Sequence, residues 1–434
     1  MAALIEAVRF GFGPRADQTL DDGPPDPARL LAQLQAPEDV GLASSSAERL
    51  DLLRRAKADI DAVKHTGVPA DTANTRAART LLPGDQRGWI MAPVSALQGF
   101  RERLVYFWLN RMTVAYRGND AQFFLLPYRD EVIRPHVGGR FADMLAASAW
   151  HPAMNLYLEQ AFSSGPNSAF GRRRKAGLNE NYAREFLELH SMGGKGYTQA
   201  DVTELARLFT GMTYSRKDGV SFVPGRAEPG TKTVLGDSYG SGVDEIARLI
   251  ATVARRPETA ASLSHALARH FLRPDPPADL VARMAEAYLQ SDTALVPVYR
   301  VMLDHPAAAD PVLSNVRSPV EYVAASLRAL GSPETGKLKL GEHLRRMGQP
   351  VFRPTGPDGW HEAPDTWISG PAIAGRLRWA EMLARGYGQG VDPRQLAPRM
   401  LGAAHADTIR AVGQAEQRWE GVAVLLASPD FMRR

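Results

Sequence analysis

Asn179-Glu180-Asn181-Tyr182-Ala183-Arg184-Glu185-Phe186-Leu187-Glu188-Leu189-His190 is the stretch on which the fold class turns. Turned at about 100° per residue, Glu180, Asn181, Arg184, Glu185 and Glu188 fall on one continuous arc. Tyr182, Phe186, Leu187 and Leu189 fall outside it, and His190 lies with this apolar side. The pattern predicts a helix over about 179–191, stopped by Gly193, Gly194 and Gly196 in left-handed positions. A second helix starts at Thr198, where Thr198-Gln199-Ala200-Asp201 resembles a capping box with Asp in the Glu position.

Outward from this point the same periodicity recurs. It marks helices over 28–34, 47–62, 94–114, 141–162 (broken at Pro152), 277–290, 319–330, 371–384 and 416–427. Ser318 reads as a cap with Pro319 at the first helical position. Only 213–240 departs, with 220–223 and 231–234 as short strands of a small hairpin. The expected fold is all-α, a large multi-helix domain with a small β-hairpin insertion near 213–240. A polar stretch with Gly67, Pro69 and Pro83 sets an N-terminal helical part, 1–90, packed on a main domain, 91–434.

The chain has 434 residues, 44% apolar and 23% charged, enough for a substantial core and unlike a disordered chain. A net charge of +4 over this length is a mild bias and does not by itself imply nucleic acid. The absence of cysteine excludes disulfides, thiolate metal sites and a cysteine nucleophile. Glu6 and Arg9 interrupt the first residues before a signal-peptide core could form, and no apolar run is long enough to span a bilayer. The expectation is a soluble protein, cytoplasmic as written or exported with a partner that carries a signal.

The arc Glu180, Asn181, Arg184, Glu185, Glu188 admits two readings. One is a carboxylate cluster for acid–base work or a divalent cation such as Mg or Ca, with His190 acting from the helix end. The other is a solvated face in which Arg184 pairs with Glu180 or Glu188, and a His190 that is structural or favoured by the helix dipole. His151 before Pro152 reads as a helix-start residue. Arg172, Arg173, Arg174 and Lys175 follow the loop 163–168; they suit a partner or an anion, or a surface role with salt bridges to the Glu180 helix. No aromatic interleaving supports nucleic acid there. Gly236-Asp237-Ser238-Tyr239-Gly240 fits a nucleophile-elbow pattern, but Gly240-Ser241-Gly242 delays the helix, and a glycine-rich turn is the simpler reading. Gly193-Gly194-Lys195-Gly196 lacks the spacing of a phosphate loop. Trp360, His361, Glu362 and Trp367 either line a pocket or pack a loop onto the core.

Several blocks together resemble the bacterial family catalogued as domain of unknown function 1800. They are Arg9-Phe10-Gly11-Phe12-Gly13, His151-Pro152-Ala153-Met154, Gly165-Pro166-Asn167-Ser168, the 177–190 stretch, Gly196-Tyr197-Thr198-Gln199-Ala200-Asp201-Val202, Ser318-Pro319-Val320-Glu321-Tyr322 and Leu426-Ala427-Ser428-Pro429-Asp430-Phe431. The resemblance implies an α-helical protein and no reaction. It also implies a partner of the family catalogued as domain of unknown function 1501, whose members often carry a twin-arginine export signal. This chain departs from the family pattern where relatives read Phe-Trp-His-x-His-Phe. Here Phe107-Trp108-Leu109-Asn110-Arg111-Met112 has neither histidine, and Arg226-Ala227-Glu228-Pro229-Gly230, ahead of Lys232-Thr233-Val234-Leu235-Gly236, stands where another, usually followed by aspartate, is found. If those histidines bind metal in relatives, this chain has lost nitrogen ligands. The reading that follows is a diverged, partner-binding or accessory protein. The alternatives are an enzyme with a carboxylate-rich or metal site on 179–190, and a phosphate or nucleic-acid binder through 172–175.

Overall fold

Caps and prolines set the helix starts, as the sequence requires. In the computed structural model, Ser45 and Glu48 form a capping box at the head of helix Ser46–Val63. Thr198 and Asp201 do so for Gln199–Phe209, and Ser318 and Glu321 for Pro319–Ala329. The structure describes residues 2–434 except 19, 21–25, 37–39, 68, 119, 332–334, 337 and 403–404. Almost every element is a helix. No described helix is long and apolar enough to cross a membrane.

Two helix boundaries differ from the sequence pattern. Pro83, expected in a polar separating stretch, lies inside the continuous helix Ala73–Ser95. The buried Asp85, Trp89, Ile90 and Val94 of that helix override the proline's local preference. The helix expected over 94–114 starts instead at Gly99 and ends at Arg111, after a break at 96–98. Arg328 explains the break. Its Nη1 donates to the carbonyls of Pro93, Val94 and Ala96, at 3.2, 3.3 and 2.8 Å, groups that a helix end leaves unpaired.

The 213–240 region holds two hairpins rather than one. Strand Met212–Ser215 pairs antiparallel with Gly219–Phe222, and Lys232–Val234 pairs with Asp237–Tyr239. The two sequence-predicted strands therefore each pair with a near neighbour and not with one another. Leu235 and Gly236 turn the second hairpin with φ of 54° and 89°, the left-handed geometry that a two-residue turn demands.

One apolar core runs from Phe10 to Met432. Phe10 stacks on Phe271 at 5.9 Å and meets Phe100 edge-on, while Phe12 packs on Tyr106. Arg9 is buried and donates to the carbonyls of Ala308, Asp310 and Val312. The Arg9–Gly13 block is thus a packing motif that threads the centre. The expected division at residue 90 falls within helix Ala73–Ser95, whose Trp89, Ile90 and Val94 belong to the same core.

Candidate functional site

The 179–190 stretch is helical, but it is not one α-helix. After Asn181–Glu185 the backbone widens into a π-helix, Phe186–Met192. Ser191 Oγ donates to the carbonyls of Phe186 at 2.6 Å and Leu187 at 3.3 Å inside this wide turn. The widening rotates the later residues away from the α-helical wheel, and such segments recur at functional sites.

The polar arc opens toward solvent. Glu180 precedes the helix and accepts from Arg184 at 3.3 Å, Gln199 at 2.9 Å and Thr203 at 2.7 Å. Asn181 and Glu188 are exposed, and Arg184 is 41% exposed. Glu185 is half-buried. Burial pushes its carboxyl above the usual range, and Glu188 and Asp358 push it the same way against Arg184. His190 is fully buried, and neither ring nitrogen has a hydrogen-bond partner among the described residues. Burial, with Arg111 close by, pushes its pKa down to about 3, so the imidazole is neutral. It does not cap the helix end, which Gly193 closes at φ 70°.

The π-helix also forms one wall of a cleft of about 890 Å³. Leu189 and Met192 come from it, Phe107, Asn110 and Arg111 from the end of helix Gly99–Arg111. Glu258, Ser262, His265 and Arg269 come from helix Pro257–Phe271, and Asp358 and Trp360 from the loop opposite. Arg111 occupies one of the two positions where the family pattern carries histidine. Its Nη2 donates to Ser262 Oγ at 2.6 Å, and burial lowers its pKa to about 10. Leu109, the other position, faces a smaller cavity of about 80 Å³ behind the same loop.

Trp360, His361 and Glu362 line both spaces, and Trp367 the smaller, so these loop residues form a shared wall. Asn110 clamps that wall. Its Nδ2 donates to Trp360 O at 2.9 Å, and its Oδ1 accepts from Trp360 N at 2.7 Å. Gly359 permits the close approach. With φ at 78°, a Cβ there would sit 2.5 Å from Asn110 O. Behind the wall His270 Nδ1 pairs with Glu362 at 2.5 Å, while Arg103 Nε donates to His270 Nε2 at 3.1 Å. Both ring nitrogens are engaged, so His270 is not free to act as a base. Burial would raise the Glu321 carboxyl, but Arg103 and Arg434, each at 2.9 Å, hold it at about 2.

The remaining motifs are positioned by packing. His151 caps helix Pro152–Tyr157 through Nδ1, which accepts from Ala153 N at 3.1 Å. Its proton therefore sits on Nε2, which meets both Glu131 and Ser46 at 3.0 Å. A serine sharing the protonated nitrogen cannot lose its proton to it, so no Ser-His-acid relay forms. Ser238 is exposed within strand Asp237–Tyr239, not on an elbow. Asn167 donates twice to Glu228, from N at 3.0 Å and Nδ2 at 2.6 Å, and fixes the Gly165–Ser168 loop. Lys232 is buried against the carbonyls of Glu228 and Gly230. Arg226 donates to Ser164 and Thr213, so the third departure from the family pattern also stands in a packed setting.

Arg172, Arg173 and Arg174 end the short helix Ala169–Arg174, and Lys175 follows in a left-handed turn at φ 52°. All four are exposed, and none makes an ion pair among the described residues, the Glu180 helix included. Among the described residues no group of three or more His, Asp or Glu is placed to hold a metal ion. In the sequence Arg111 stands out only as a missing histidine, and no local pattern marks Ser262, Lys195 or Arg269. Their shared cleft joins segments more than 150 residues apart, as the Arg111–Ser262 bond illustrates.

No curated protein and no solved structure matches the chain. One family model does, over residues 7–433, under the description protein of unknown function (DUF1800).

Proposed function

From its membership in the DUF1800 family, which supplies no reaction, we propose that this chain is a partner-binding, accessory protein that docks an acidic partner on Arg172, Arg173, Arg174 and Lys175. One observation carries this reading: four consecutive cations stand exposed on a fixed turn, without carboxylate partners among the described residues. Several other surface arginines are paired, Arg184 with Glu180, Arg216 with Asp120 and Arg248 with Glu245. The Ser168 cap and the Asn167–Glu228 bonds hold the turn in place, which lowers the ordering cost of binding. Complementary charge then sets orientation and association rate.

The proposed partner is a protein of the DUF1501 family, and the chain's compartment follows from that partner's export signal. Co-expression with such a protein tests this. A complex that survives purification, and is lost when residues 172–175 become serine, supports the reading. A chain recovered alone, or a complex indifferent to those changes, rejects it. Equal binding of duplex DNA would point to the phosphate reading instead.

The second reading, an enzyme with a carboxylate-rich site, is favoured by the raised carboxyl of Glu185. A group that keeps its proton to higher pH is an acid–base candidate. Its metal form is tested by melting with added magnesium or calcium. A stabilisation lost in Glu185→Ala and Glu188→Ala supports it, and no shift rejects it.

A further inference from the structure

We propose that the cleft between helix Gly99–Arg111, the π-helix and helix Pro257–Phe271 binds a small monocarboxylate with an apolar body, its carboxylate seated on Arg111. The site goes beyond the partner reading and belongs to the chain alone.

Arg111 is the centre of the argument. Its Nε is buried without a hydrogen-bond partner, and it makes no ion pair among the described residues. Among the described residues its one side-chain hydrogen bond goes to Ser262 Oγ at 2.6 Å. Several other buried arginines are answered by carboxylates or carbonyls, although Arg9 and Arg376, which do not line this cleft, also keep an unpartnered Nε. Arg49, Arg103 and Arg134 meet Asp85, Glu321 and Glu102, while Arg9 and Arg328 meet backbone carbonyls. The Nη1 of Arg111, which makes no hydrogen bond among the described residues, stands beside Nη2 in the planar fork that a carboxylate matches.

The surroundings narrow the ligand further. Arg269 lines the same cleft, seven residues after Ser262 and so two turns along one helix face, with its own Nε buried and unpartnered. Lys195 lines it from the glycine turn, and Gly193 lies so close to Ser262 that a Cβ would sit 2.6 Å from its Oγ. Three cations, Arg111, Lys195 and Arg269, thus line the cleft around Ser262. Phe107, Leu189, Met192 and Trp360 supply apolar wall for the ligand's body. Glu258, Asp358 and Glu362 also line the cleft; Asp358 acts on Glu185, and Glu362, paired with His270, acts on Arg111. These carboxylates oppose a second negative charge, which selects a monocarboxylate over a phosphate or polyanion. At about 890 Å³ the space is in the range of small-molecule sites.

The test uses the purified full chain and four probes: hexanoate, hexylamine, hexanol and inorganic phosphate. Calorimetry and melting temperature are read together. The expected result is saturable one-site binding of hexanoate with a raised melting temperature, and no comparable effect of the other three. Arg111→Met should weaken hexanoate at least about tenfold, and Arg111→Lys should recover part of the loss. Should Arg111→Met not fold, Ala266→Trp, which fills the cleft from helix Pro257–Phe271, should abolish binding instead. No hexanoate binding to folded protein, equal binding of hexanol or phosphate, or unchanged affinity in the folded variants would overturn the assignment.

Discussion

Glu321 and His190 carry the clearest electrostatic consequences. Glu321 is held at about 2, against an ordinary 4.5, because Arg103 and Arg434 outweigh the cost of its burial. A depressed carboxyl contributes stability above its ordinary pKa and loses it as pH falls from 4.5 toward 2. Glu321→Gln should remove that part of the acid unfolding curve. It should also cost about 3–5 kcal/mol at neutral pH, since two buried arginines lose their carboxylate. Denaturant titration at pH 7 and pH 3 checks both. His190 is the opposite kind of group, a base held neutral at about 3 against an ordinary 6.5. The unfolded chain binds its proton first, so stability falls as pH drops through 6.5 toward 3. His190→Leu should flatten stability against pH between 6.5 and 4.5 by up to about 1.4 kcal/mol per unit. An unchanged slope would place the histidine elsewhere. At this scale the sequence was partly readable: Ser318 was recognisable as a cap, whereas the Arg103 and Arg434 partners of Glu321 come from distant chain and leave no local signal.

Elements were legible where local chemistry decides them. The Thr198–Asp201 and Ser318–Glu321 boxes, the break at Pro152 and the left-handed glycines at 193, 194 and 196 follow from short-range rules. The exceptions have long-range causes. Arg328 ends one helix from another, and core packing carries Pro83 through a helix interior. The π-helix Phe186–Met192 has no period that a helical wheel would detect, so the arc from Glu180 to Glu188 holds only for an α-helix, and the α-helix stops at Glu185. The loop clamp offers a test at this scale. Gly359→Ala puts a Cβ 2.5 Å from Asn110 O at φ 78°, which should cost about 1–3 kcal/mol. Asn110→Ala should cost a similar amount by stranding the Trp360 backbone groups. In both variants the Trp360 amide should exchange with solvent faster, while amides of helix Pro319–Ala329 keep their protection. Equal loosening of both would mean that the clamp is not local.

Across the whole molecule, the all-α class with a small β insertion was legible because the helical period recurs along the chain. The path of the N-terminus was not, because Phe10 and Phe12 reach their partners on other helices only after folding. A core continuous from Phe10 to Met432 should melt as one unit. Calorimetric and van't Hoff enthalpies should then agree, and a separate early transition for the first 90 residues would contradict this. The partner proposal also belongs to this scale, since it rests on a rigid frame presenting Arg172–Lys175. Its most direct test is the affinity of the purified chain for a purified DUF1501 protein, measured at low and high salt. The account predicts binding that weakens steeply with salt, and a variant with residues 172–175 replaced by serine that binds weakly at both. Salt-independent affinity, or a variant that binds as tightly as the native chain, would contradict it.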